Sequence, residues 1–225
     1  MWQSLWESID EKTDFTVLAI ALDQPEAARP WIEAAAPTYP CLIDRDHRTA
    51  ELYHLTNVPQ AVWIDEHGHI VRPPENAGST DGFRAMNRAT SEMSADALAE
   101  RKRVKELYVD AVEDWAVRGA QSRHVLSPAS VSARLLMPDA DVATAHVHFR
   151  LAQALRRDGK EDEARAQFAE ASRLHPDSWA MWREGACKSQ NGLAVGTDFW
   201  ARVDTLGDKP YHRPLEIGDE PMAPS

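Results

Sequence analysis

The chain has 225 residues, 43% hydrophobic and 27% charged, a balance that builds packed domains and excludes an intrinsically disordered polymer. Its formal net charge of −11 opposes general binding to nucleic acid or to an anionic membrane surface. The longest apolar run, Val17 to Leu22, is strand-length and far short of the roughly 18 residues that a spanning helix needs.

At the N-terminus, Met1-Trp-Gln-Ser-Leu-Trp-Glu-Ser-Ile9 reads as an amphipathic helical piece, without the basic region and apolar core of a secretory leader. Phe15 to Leu22 reads as a buried strand ending on the acidic turn at Asp23. A short amphipathic stretch leads to Tyr39-Pro-Cys-Leu-Ile-Asp44, and then to Leu55-Thr-Asn-Val-Pro-Gln-Ala-Val-Trp-Ile-Asp-Glu-His-Gly-His-Ile-Val71. Within that phrase Ala61 to Asp65 is a strand, and Asp65-Glu-His-Gly68 is a tight turn in which Gly68 supplies positive φ. Pro73 to Gly82 has the composition of a loop, which closes a first segment at residue 83.

After a linker over 84–94, Leu98, Val104, Leu107, Tyr108, Ala111, Val112 and Trp115 predict one amphipathic helix from Ala95 to Ala120. Ser94 is its N-cap and Gly119 its stop. A shorter helix starts at Ser127-Pro-Ala-Ser and runs through Leu136. Between Ala145 and Pro176, Leu151, Ala152 and Leu155 sit on one helix, Gly159 at a turn, and Ala164, Phe168 and Ala171 on a second, with Pro176 at the exit. Small residues at 152, 164 and 171 let two antiparallel helices approach, and Phe168 fills the space between them. Trp182 and Ala186 repeat His148 and Ala152 at a period of 34 residues, a register that decays at Gln190-Asn-Gly-Leu193. From 209 to 225 the chain is an irregular, proline-rich tail.

The order of the first segment resembles the redoxin branch of the thioredoxin superfamily, of the TlpA/ResA and AhpC/TSA type. The helical pattern from Ala145 to Pro176 resembles a tetratricopeptide repeat. Together they imply an incomplete α/β thioredoxin-like part over 1–83 and an all-α, helical-repeat part over 95–208. In the resembled family a Cys-x-x-Cys or a single peroxidatic cysteine stands between the first core strand and the first core helix. Here Met1 to Ile9 looks like the tail of that helix, so the expectation is a redox segment upstream of Met1. One route is a selenocysteine codon read as a stop, with a restart at Met1. Within these residues the central strand would be absent, and unpaired edges are costly. An upstream strand, direct pairing of the Phe15–Leu22 and Ala61–Asp65 strands, or a strand donated by another chain would each fill its place.

The resemblance makes Val58-Pro59-Gln60 the substrate loop, with Pro59 in the cis configuration beside bound substrate. Gln60 replaces the small hydroxyl residue often found next in the TlpA/ResA group. Protein disulfides or peroxides are the implied substrates of the complete protein, and a peptide is the implied partner of the helical repeat. The activity expected of the 225 residues themselves is none, and the competing reading is a non-enzymatic adaptor.

The other chemistry-bearing residues carry bland readings. Cys41 and Cys187 form no disulfide framework, which points to a reducing, cytoplasmic setting. Cys41 has apolar neighbours and Asp44, which favour a neutral thiol, and Cys187 occupies a small packing position in the repeat. His67 and His69 flank a turn, and nothing near them completes a metal set. His146 and His148 are helix-surface residues. The eight tryptophans are dispersed, as packing residues are. No cofactor or metal site is expected.

Overall fold

The computed structural model describes residues 2–9, 13–135, 137–189 and 192–217. Leu136, where the short helix was expected to end, Gln190 and Asn191, where the repeat decays, and 218–225 of the tail lie outside the described residues. The chain divides into two compact units, each drawn from separated stretches.

Unit one takes Met1–Thr16, Pro59–Ser132 and Asp208–Ser225. Helix α1 (Trp2–Ser8) buries Leu5. Strands β3 (Gln60–Ile64) and β4 (Ile70–Asn76) form an antiparallel hairpin. Its turn closes where the Gly68 N–H donates to the Asp65 carbonyl at 3.0 Å, with Gly68 at φ +81°.

The proline-rich run from Pro73, expected as loop, is strand as far as Asn76. Register passes from Ala61↔Glu75 to Trp63↔Arg72, so Pro73 and Pro74 fall at a bulge, where a strand tolerates residues without a donor N–H.

Helix α4 (Ala95–Arg118) starts as read, with the Ser94 hydroxyl accepting from the Ala97 N–H at 3.2 Å, and it stops at Gly119, φ +53°. Its buried residues are Val104, Tyr108, Ala111 and Val112, on one face at helical spacing. Leu98, assigned to the same stripe, is exposed. Tyr108, Ala111 and Val112 join Leu5, Trp63, Ala77 and Ile217 in one core cluster. Trp63 and Trp115 stack there with centroids 4.9 Å apart.

The tail is irregular in backbone, yet it packs. Asp81 accepts from the Tyr211 and His212 N–H groups at 2.7 and 2.8 Å. Tyr211 and Ile217 are buried. Helix α5 (Pro128–Arg134) is capped by the Ser127 hydroxyl, which accepts from the Ser130 N–H.

Unit two takes Val17–Val58 and Ala133–Gly207. Strand β1 (Ala19–Ala21) runs parallel to β2 (Cys41–Ile43), with α2 (Pro25–Ala35) as the crossover and α3 (Arg48–Leu52) following β2. The strand expected over Phe15–Leu22 is therefore three residues long. An apolar run reports burial, whereas a strand needs a ladder partner, and only Ala19–Ala21 has one. Among the described residues β1 pairs with β2 and β3 with β4, in two separate sheets.

Helices α6 (Ala140–Arg157) and α7 (Glu161–Leu174) form a hairpin about Gly159, φ +75°. Ala145, Phe149, Ala152, Ala164, Phe168, Ala171 and Met181 are its buried core. Phe149 and Phe168 meet edge to face at 5.6 Å. Leu151 points outward, 46% exposed. Helices α8 (Trp179–Gly185) and α9 (Thr197–Asp204) complete the unit. Helix α8 ends before Ala186, which is extended, so the 34-residue register does not continue as helix.

Candidate functional site

The acidic turns after β1 and β2 lie at the carboxyl ends of two parallel strands, where α/β folds place polar chemistry. Asp44 accepts from the N–H groups of Arg48 and Thr49 at 2.8 and 2.6 Å and so caps α3. Asp23 accepts from the Gln24 N–H and lies 3.7 Å from the Lys188 ammonium. Lys188 also donates to Glu184 at 3.2 Å, and Glu184, 6% exposed, accepts from Arg156 at 3.0 Å. His47 stands among these groups, with its ring 5.1 Å from Phe149. Burial holds its imidazole below the usual histidine range, against the opposing pull of Glu184, Asp44 and Asp23. Sequence reading missed this cluster, because its members are scattered from 23 to 188 and no spacing announces them.

Cys41 is a free, half-buried thiol and the first residue of β2, opposite Ala19. A strand lacks the concentrated dipole of a helix N-terminus that activates thiols. Cys187 is free and exposed, beyond the end of α8. It therefore does not occupy the packing position assigned to it.

Val58 and Pro59 fall in different units: Val58 ends the Val17–Val58 stretch and Pro59 opens Pro59–Ser132. The Val58 N–H donates to Asn57 Oδ1 at 2.9 Å, and Asn57 Oδ1 also accepts from Arg183 at 2.9 Å. The Pro59 carbonyl accepts from the Ala77 N–H at 3.2 Å, and Gln60 pairs with Asn76 as the first residue of β3.

His67 and His69 are turn residues. Their backbone N–H groups both donate to Asp65 Oδ1, at 3.0 and 2.7 Å, and the His69 contact foremost holds the Asp65 carboxyl below its usual range. No group of three or more His, Cys, Asp or Glu side chains among the described residues is arranged to hold a metal ion. His148 is not a free surface residue: its Nδ1 lies 2.6 Å from Gln167 Oε1 across the α6–α7 hairpin. No described helix is long and apolar enough to cross a membrane.

The model of the AhpC/TSA family matches residues 2–72, less than half of the chain. No curated protein and no solved structure matches it. The N-terminal part of the chain is thus thioredoxin-like in kind, and the part that follows is largely helical.

Proposed function

We propose that the chain is a redoxin-lineage protein of the thiol–disulfide oxidoreductase type, whose helical part is a tetratricopeptide-like peptide-binding module. The observation that carries the first half is the AhpC/TSA match over 2–72, joined to the order β1–α2–β2–α3–β3–turn–β4. The second half draws support from the α6–Gly159–α7 hairpin with its buried small residues at 145, 152, 164 and 171. On this reading Val58-Pro59-Gln60 is the substrate loop for a protein disulfide or a peroxide, and the protein works in the cytoplasm.

The same reading holds that these 225 residues are a scaffold without turnover of their own. Cys41 opens strand β2 and Cys187 lies exposed beyond the end of α8. Neither is placed as an activated nucleophile. Dithiothreitol-driven insulin reduction and hydrogen peroxide consumption by the chain should match the reagent alone, and Cys41→Ser should change neither. Turnover abolished by Cys41→Ser would make Cys41 catalytic and the scaffold reading wrong.

The placement of the two cysteines also favours a second reading, an adaptor that binds through its helices. Saturable binding on a peptide array, retained when both cysteines are serine, is its signature.

A further inference from the structure

The segment after β2 lies along one face of α6 in antiparallel sense. Asp46 pairs with Arg157 at 2.9 Å, the Arg45 carbonyl accepts from Gln153 at 3.3 Å, the His47 ring meets Phe149, and Glu51 pairs with Arg150. Further along, His54 lies within electrostatic reach of His146 on α6 and of His175 at the end of α7. The His146 and His175 rings are 6.4 Å apart.

These rungs are unequal. Arg157 and Arg150 are each more than half exposed, and ion pairs in that setting hold weakly. The central rung is His47, 6% exposed, in the left-handed region at φ +54°. Both Nδ1 and Nε2 are buried without a hydrogen-bond partner among the described residues. An unpartnered imidazole is costly when neutral and costlier as a cation.

The groups facing His47 come from every element around it: Asp23 after β1, Asp44 after β2, Glu184 on α8 and Lys188 beyond it. Each carboxylate is already engaged, Asp44 with two backbone N–H groups, Glu184 with Arg156 and Lys188, and Asp23 with Lys188. Their pull toward an imidazolium is outweighed by the burial of the ring. Around the outer histidines stand Glu51, Arg150, Asp139 and Asp177. Burial is the leading influence on both His146 and His175, and it disfavours their charged forms.

We propose that residues 45–54 are an acid-released clip, detached from the α6–α7 hairpin when His47, His146 and His175 take up protons on mild acidification. The closed form binds fewer protons than the opened one, because all three imidazoles sit below their ordinary range when packed. Closure is therefore complete above that range and weakens as pH falls through about 6.5, by up to roughly tenfold per pH unit for each histidine. The clip belongs to unit two alone and does not depend on the redoxin lineage.

Hydrogen exchange of the full chain at pH 7.5 and 5.5, corrected for the intrinsic pH dependence of exchange, tests it. The Glu51, Tyr53 and Leu55 amides, which donate to the His47, Thr49 and Ala50 carbonyls, report the clip. They should lose at least about tenfold of their protection at pH 5.5, while α4 amides hold theirs. The triple variant His47→Phe, His146→Gln, His175→Gln should show no such loss. If His47→Phe does not fold by circular dichroism, the His146→Gln, His175→Gln pair should still reduce the response. Equal protection at both pH values in the unmodified chain would overturn the proposal. So would a response of unmodified size in the variants, which would place the titration on groups other than these histidines.

Discussion

The indole Nε1 of Trp63 donates to the hydroxyl oxygen of Tyr108 at 2.9 Å, and both side chains are buried. This bond joins the β3–β4 hairpin to α4 in the middle of the unit-one core. Burial first, and the Glu75 charge second, drive the Tyr108 hydroxyl far above its usual range, so it stays neutral in any ordinary buffer. Tyr108→Phe leaves the Trp63 N–H buried without its acceptor. The expected cost is about 1–3 kcal/mol, read as a lower urea midpoint with unchanged slope.

Arg72 is a second polar strut in unit one, 2% exposed and held by a two-pronged pair with Glu75 at 2.7 Å on each prong. Its guanidinium also donates to the His124 carbonyl at 2.8 Å and lies 5.3 Å from the Trp63 ring centroid. Arg72→Met takes the guanidinium away from the Glu75 carboxylate and the His124 carbonyl together. A loss of about 3–5 kcal/mol is expected. Arg72→Lys keeps the charge without the planar fork and should fall between, since lysine cannot serve two prongs and a carbonyl at once. Because Arg72 also reaches the Glu216 carbonyl at 3.5 Å, proteolysis of the tail should quicken in both variants.

What was legible in the sequence is what rests on local periodicity. Ser94 and Gly119 bracket α4, and Gly159 divides α6 from α7, because caps and positive-φ glycines act on their own neighbours. The illegible parts rest on distant partners. Phe15–Leu22 reads as one strand, yet only Ala19–Ala21 finds a ladder. Pro73 and Pro74 read as loop because the bulge that accepts them depends on β3. The tail reads as unstructured because its bonds are to Arg72, Asn76 and Asp81, more than 120 residues away in sequence. His47 carries no motif at all. Its burial follows from α6 and α8, which come a hundred residues later.

Gly185, the last residue of α8, lies against the Phe168 side chain on α7. A Cβ added there would come within 2.6 Å of the Phe168 Cβ, an approach that one of the two helices must relieve by moving. Gly185→Ala should therefore destabilise unit two by about 1–3 kcal/mol through overpacking, despite alanine's better helix propensity. Pairing it with Phe168→Leu should recover part of that loss. A double-mutant cycle measures the coupling, and strictly additive costs would show that the clash is not what Gly185 avoids.

Asp44 ties together the same corner that His47 occupies, by different physics. Its N–H donates to the Ala21 carbonyl at 2.8 Å, extending the β1–β2 pairing, while its two carboxylate oxygens cap the first turn of α3. With five residues α3 is too short to hold itself, so the cap contributes a large share of what keeps it helical. Asp44→Ala should cost about 1–2 kcal/mol, and Asp44→Asn less, because one acceptor oxygen remains. The loss should appear in the exchange of the Arg48 and Thr49 amides. A loss at pH 7.5, where the histidines are packed and neutral, would separate the helix start from the imidazoles as supports of the same segment.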